Sequence, residues 1–264
     1  MEIMSLGPTK KAQILHPSAI MRGQPDFSSE TSNELLFGET VEILGQTNDF
    51  YEVQADHDDY VGCVHEAALG TDIFVPTHAV SALGAYLYSA PDFKSPPLGS
   101  LPFESKIQIT DQSENGFILT AHDGWVFEKD LRPLDGPAYD HIKTAEMFLH
   151  SPYLWGGRTA AGLDCSALVQ LSLMAANIPC PRDTEEQQDM IGQPVPFQTA
   201  EDLKTLQRGD IVYFPGHVGM MSEPTKILNA TSRHMRVVIE DLFELIGIYG
   251  AITSVRRITQ QDEE

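Results

Sequence analysis

Three cysteines, Cys63, Cys165 and Cys180, are all that the 264 residues contain. An odd number without C-x-x-C spacing supports neither a disulfide framework nor a structural zinc site. The thiols are therefore expected to be reduced, and neither a metal nor a cofactor is expected. Basic residues are also scarce: 17 Lys and Arg stand against 38 Asp and Glu, a net charge of −21. No basic run tracks phosphates, which removes nucleic acid and other anionic polymers from the expected partners. Nowhere do about 18 apolar residues run together, and the opening "MEIMSLGPTKKAQILHPSAIMRG" lacks the unbroken apolar stretch of an export signal. The expectation is a cytoplasmic chain with no membrane partner.

What the chain does have is a hydrophobic fraction of 42%, ordinary for a protein with real cores. From Lys11 to Asp135, short runs alternate apolar and polar residues with period two and break at Gly, Asn and Asp. The layout of residues 11–69 returns in residues 77–135, which reads as two copies of one small barrel. The stretches "LLFGETVEIL", "FYEVQADHDDYVGCV", "LGSLPFESKIQI" and "GFILTAHDGWV" make each copy similar to the bacterial SH3-like domain. Cys63 of the first copy aligns with Trp125 of the second, and an inert, packed thiol is expected there.

The composition changes after "RPLDGPAYD", read as a domain boundary. Beyond it come an amphipathic helix over about His141 to His150 and then the stretch "GRTAAGLDCSALVQLSLMAANIP". In that stretch Ala167, Leu168, Leu171, Met174, Ala175 and Ile178 recur at spacings of three and four, which predicts a helix with one apolar face. The runs "GDIVYF", "HVGMM", "KILNAT", "RVVIEDL" and "YGAITSVRRI" predict an antiparallel sheet, so the fold class of this half is α+β.

Cys165 falls in the first turn of the predicted helix, with Asp164 near its cap. Helix N-termini carry partial positive charge and can lower a cysteine pKa, which favours a thiolate nucleophile; the same N–H groups can receive an oxyanion. Taken alone, such a cysteine is more often a buried small hydrophobe. A base is offered by His217, opening a strand after the Pro-Gly turn of "YFPGHVGMM". Asn229 in "KILNAT" follows twelve residues later across a hairpin turned at "SEPTK", where residues equally far from the turn lie side by side and an amide can hold the imidazole.

The linked motifs "YLWGGRTAAGLDCSALVQ", "RGDIVYFPGHVGMM" and "KILNAT" closely resemble the NlpC-type branch of papain-like cell-wall peptidases. The resemblance implies a papain-like catalytic domain over 137–264, preceded by all-β SH3-like barrels over 1–75 and 76–136. It assigns Cys165 as nucleophile and His217 as base. Asn229 stands where the family usually has a third catalytic His, and His234 is an alternative orienter. His141 and His150 are read as surface residues of the first helix.

For substrate binding the resemblance nominates Asp164 and Ser166, which flank the nucleophile. Asp164 reads equally as a cap and as a partner for a substrate ammonium. Asp183 and Thr184, in the "RDT" segment, read as cleft residues or as the cap of the helix "TEEQQDM". Trp155 and Tyr153 line the cleft or pack the loop, and Tyr60 and Glu39 resemble positions through which a first barrel closes such a pocket. Cys180 reads as a packed loop thiol.

The implied reaction is hydrolysis of the γ-D-glutamyl bond to a diamino acid, meso-diaminopimelate or L-Lys, in murein peptides with a free N-terminal L-Ala, during cell-wall recycling. A non-catalytic muropeptide-binding protein is the alternative, and a lipid acyltransferase a more distant one.

Overall fold

The structure is a computed structural model, and it describes residues 10–259. Residues 1–9, which open the stretch read for an export signal, and residues 260–264, at the end of the expected catalytic domain, lie outside the described residues. The chain forms two compact units, Met1–Asp135 and Gly136–Glu264.

The N-terminal unit is built of strands. Its first set is β1 (Lys10–Ile14), β2 (Ser18–Arg22), β3 (Thr31–Leu36), β4 (Thr40–Thr47), β5 (Phe50–Ala55), β6 (Val61–His65) and β7 (Leu69–Gly70), in the sheet order β3-β2-β6-β5-β4-β1-β7. Alternation puts Ala12, Ile14, Met21, Leu35, Val41, Val53 and Val64 inside this sheet. The second set is β8 (His78–Val80), β9 (Gly84–Tyr88), β10 (Pro97–Pro102), β11 (Lys106–Ile107), β12 (Ile109–Glu114), β13 (Phe117–Thr120), β14 (Trp125–Phe127) and β15 (Leu131–Pro133). Its core is Val80, Ala85, Leu87, Leu101, Ile107 and Val126, joined by Phe37 from the first set.

The two sets repeat in register. Phe50, Tyr51 and Glu52 pair with His65, Val64 and Cys63, while Phe117, Ile118 and Leu119 pair with Phe127, Val126 and Trp125. A single turn of 3-10 helix follows in each, Glu66–Ala68 and Glu128–Asp130. Cys63 is buried, as expected; Trp125 is only half-buried, and the core side chain of its strand is the neighbouring Val126. Burial, with a smaller contribution from Glu52, raises the Cys63 pKa.

The C-terminal unit mixes helix and sheet. Helix α1 (His141–Met147) is capped by Asp140, whose carboxylate accepts from the N–H groups of Ile142 and Lys143. It ends before the expected limit: His150 lies beyond it with φ 72°, a left-handed conformation that no helix continues. A short hairpin, β16 (Arg158–Thr159) and β17 (Gly162–Leu163), leads into α2 (Cys165–Ala175). Then come α3 (Thr184–Met190), β18 (Gln193–Pro194), α4 (Ala200–Leu203), β19 (Ile211–Phe214), β20 (His217–Glu223), β21 (Lys226–Thr231), β22 (Arg236–Asp241), α5 (Leu242–Tyr249) and β23 (Ser254–Arg257). The sheet runs β18-β23-β19-β20-β21-β22 with antiparallel neighbours, as the α+β reading predicts.

Helix α2 departs from the expected single apolar face. Every residue from Cys165 to Leu173 is buried, including Ser166, Gln170 and Ser172. It packs against α1 and against β20 and β21, so its polar side chains bond internally: Ser172 donates to the Leu168 carbonyl and Gln170 to the Cys180 carbonyl. The other main core gathers Val212, Phe214, Met221, Ile227, Leu242 and Leu245 from β19, β20, β21 and α5. In the R-G-D segment, Asp210 holds Arg257 of β23 through two hydrogen bonds of 2.6 and 2.7 Å, and Arg208 reaches Asp140 and Glu146 of α1. These ion pairs tie the start of β19 to its neighbour β23 and to the first helix.

Candidate active site

Cys165 is the first residue of α2, and Asp164 is its N-cap, accepting from the Ala167 N–H at 2.9 Å. The capping half of the Asp164 reading is therefore observed. The carboxylate does more: Oδ1 also accepts from Ser166 Oγ and Arg182 Nη1, and Oδ2 accepts from the Gly156 N–H and Arg182 Nη2 at 2.7 Å. Arg182 is only 1% exposed and donates to Ser166 Oγ as well. With five donors around it, Asp164 has its hydrogen-bonding capacity filled from within the fold.

The W-G-G approach explains itself in the same place. Gly156 supplies the N–H that binds Asp164, and a Cβ on Gly157 would stand 2.4 Å from the Gly162 carbonyl oxygen. Only glycine lets the approach loop pass this close to the strand that delivers Asp164 and Cys165.

The thiol itself is buried, and this corrects the expected lowered pKa. Burial, reinforced by the nearby Asp164 carboxylate, pushes Cys165 up to about 11. The N–H groups of Val218 and Ser166 and the Arg182 charge favour the thiolate but do not overcome desolvation. The Val218 N–H facing the sulfur places the nucleophile at the head of β20, beside His217.

His217 is 4% exposed, and its Nε2 lies 2.9 Å from Asn229 Oδ1. The two are not side by side as expected. The register sets Met220 opposite Leu228, so Asn229 faces Gly219 and meets His217 diagonally across the strands, on the same face of the sheet. The Gly of "HVGMM" is required there: a Cβ at 219 would lie 2.9 Å from Ile227 Cγ1 and 3.0 Å from Asn229 Cβ. Burial holds the imidazole below its usual range, against the Asn229 hydrogen bond and the Glu240 carboxylate, which favour the charged ring. Its face stacks on Tyr249, with centroids 4.2 Å apart and planes at 13°.

The remaining expected residues fall in different places. Tyr153 is half-buried, and Cys165, Asp164 and Tyr249 all add to the burial that raises its phenol, which puts this aromatic within electrostatic reach of the thiol. Trp155 is 57% exposed. Asp183 stands at the N-cap of α3, yet its carboxylate makes no capping hydrogen bond and the residue is exposed; Thr184 opens the helix. His234 does not orient His217: its Nε2 meets Glu240 Oε1 at 3.2 Å. His141 is only half-exposed and reaches the Gly209 carbonyl. Cys180 is buried in its loop, as expected. Tyr60 and Glu39 belong to the N-terminal unit, where Tyr60 donates to the Ser32 carbonyl and buried Glu39 accepts from the Leu36 N–H.

Sequence reasoning missed Arg182, Tyr249 and Glu240. Arg182 was visible as the first letter of "RDT", but nothing local indicates that its charge is spent on Asp164, eighteen residues earlier. Tyr249 and Glu240 carry no sequence signal of their own.

A thiol at a helix N-terminus, a histidine one residue before the N–H that faces the sulfur, and an amide behind the imidazole are the parts of an acyl-transfer site. Residues 150–249 match the NlpC/P60 family, and residues 21–69 match the bacterial dipeptidyl-peptidase Sh3 domain. Over 260 residues the chain is 23% identical to dipeptidyl-peptidase 6 of Lysinibacillus sphaericus, covering 90% of this chain and 94% of that protein. It is 27% identical over 239 residues to a gamma-D-glutamyl-L-lysine dipeptidyl-peptidase of Bacillus subtilis (strain 168), covering 81% and 76%. An NlpC/P60 family protein from Bacillus cereus ATCC 10987 shares the fold, with a TM-score of 0.78 at 20% identity over 94% of this chain and 99% of that one. Site and relatives together define a cysteine-type peptidase. It carries an NlpC/P60 domain at residues 150–249, after a bacterial dipeptidyl-peptidase SH3 domain at residues 21–69.

Proposed function

We propose that this peptidase hydrolyses the bond between γ-D-glutamate and a diamino acid, L-Lys or meso-diaminopimelate, in soluble murein peptides with a free N-terminal L-Ala. The observation that carries the reading is the Cys165, His217 and Asn229 arrangement in a chain that also holds the SH3 domain of bacterial dipeptidyl-peptidases. Two relatives named as dipeptidyl-peptidases, matched over 94% and 76% of their lengths, support it. The repeat of strands in residues 77–135 is read as a second SH3-like barrel, and the acidic chain as a cytoplasmic enzyme of cell-wall peptide recycling.

In the proposed mechanism the resting pair is neutral thiol and neutral imidazole. Nε2–H of His217 donates to Asn229, which leaves Nδ1 as the base. As Cys165 attacks the γ-carbonyl, its proton passes to His217. The N-terminal N–H groups of α2 stabilise the oxyanion, and His217 returns the proton to the leaving amine. Water then resolves the thioester with His217 again acting as base. Asp164 is engaged by Arg182; Asp183, exposed at the N-cap of α3, is the second carboxylate nominated for the substrate ammonium.

Incubation with L-Ala-γ-D-Glu-L-Lys, its meso-diaminopimelate analogue and the N-acetylated forms, with products weighed by mass spectrometry, tests the reading. Release of L-Ala-γ-D-Glu from the free peptides alone is expected. Equal cleavage of acetylated peptide would overturn the free-amine requirement. Binding without turnover would point to the non-catalytic alternative.

A further inference from the structure

An asparagine is an ambiguous partner for a catalytic histidine. Its amide has nearly the same shape when turned over, and in one orientation it accepts from the imidazole whereas in the other it donates. Which ring nitrogen of His217 carries the proton therefore depends on what fixes Asn229. Asn229 is fully buried, and its Nδ2 faces two groups that can only accept: Glu240 Oε2 at 3.2 Å and the Val238 carbonyl at 3.5 Å.

Glu240 lies on β22, where Val238 pairs with Asn229 and Ile227 pairs with Glu240. His217, Asn229 and Glu240 thus form a diagonal across β20, β21 and β22 on one face of the sheet. The carboxylate is itself held in place. Oε1 accepts from Arg233 Nη1 at 2.9 Å and meets His234 Nε2 at 3.2 Å, both from the turn between β21 and β22, and the side chain is only 11% exposed.

We infer that Glu240 is a positioning residue of this active site: it orients the Asn229 amide so that Oδ1 faces His217, and so keeps Nδ1 of His217 as the base. The inference rests on the reading of Cys165 and His217 as nucleophile and base, and it accounts for an asparagine serving where the related motif usually carries a histidine. An ionised carboxylate two hydrogen bonds from the imidazole also favours the imidazolium formed during attack.

The test uses the full chain labelled with 15N-histidine and the variants E240M, E240A and E240Q. Met keeps the volume but removes the acceptor; Gln restores an acceptor oxygen; E240A serves if E240M does not fold. In the wild type, the nitrogen shifts of His217 are expected to show the proton on Nε2. In E240M a mixture of tautomers is expected, with kcat on L-Ala-γ-D-Glu-L-Lys about 10- to 100-fold lower and KM within about twofold. E240Q should recover the Nε2 tautomer and part of kcat.

A wild-type tautomer in both E240M and E240A would overturn the inference, as would a KM effect with unchanged kcat. If Glu240 governs the tautomer while the wild type cleaves none of the peptides, the inference stands and the substrate reading fails.

Discussion

At the scale of single residues, the environment of Cys165 determines the resting state of the site. A helix N-terminus favours a thiolate, but that effect is worth about 0.3–2 kcal/mol, whereas removing a charge from water costs several. Burial wins, and the thiol rests protonated with a pKa of about 11 beside an imidazole that burial also keeps neutral. Fast alkylation at neutral pH, expected from the helix position alone, does not follow. Labelling of the Cys165 peptide by iodoacetamide should instead rise about tenfold per pH unit from pH 7 to about pH 10. A rate that is flat over that range would show a preformed thiolate and imidazolium pair.

The same scale separates two roles that the sequence left joined in Asp164. Capping and ion pairing fill its oxygens, and the guanidinium that fills them is Arg182, from the segment nominated for substrate contact. Both were nameable as motif letters, but their mutual engagement was not, because a sequence does not show which of several nearby charges will pair.

At the scale of elements, the candidate active site is a meeting of one helix end with three strands. Strand β20 carries His217, β21 Asn229 and β22 Glu240, and the register between them converts sequence spacing into a diagonal. Gly219 sits at the crossing, directly opposite Asn229. Gly219→Ala would push a methyl against Ile227 and Asn229, at an overpacking cost of about 1–3 kcal/mol. The expected result is a kcat at least about tenfold lower and a modest fall in the denaturation midpoint, read by kinetics and urea titration. Unchanged kcat would mean that the strands spread without moving Asn229.

Strands and turns were largely legible at this scale, since alternation and Gly, Asn or Asp corners are local properties. The hairpin register was not. With Met220 opposite Leu228 and Glu223 opposite Lys226, His217 falls opposite Thr231 and Asn229 opposite Gly219, so the equal-distance rule missed the relation of His217 to Asn229 by two positions.

At the scale of the whole molecule, the net charge of −21 opposes compactness in both units. The repulsion is long-range and acts mostly through solvent, so salt should weaken it. Raising NaCl from about 10 mM to about 300 mM is expected to increase the melting temperature by a few degrees, as followed by calorimetry. A melting temperature that falls with salt would show instead that the surface ion pairs, such as Lys11 with Asp56 and Arg208 with Asp140, outweigh the net repulsion.

By itself the sequence determined the parts and their order: a strand layout that repeats, a D-C-S at the start of a helix, and a histidine and an asparagine on successive strands. Those features are written in neighbouring residues, in periodicities of two or of three to four, and in the capping preference of aspartate. The tertiary structure alone decided the protonation of Cys165, the engagement of Asp164 by Arg182, the stacking of Tyr249 on His217 and the placing of Glu240 behind Asn229. Each of these depends on desolvation or on contact between residues distant in the chain, and neither quantity is a property of any local stretch of sequence.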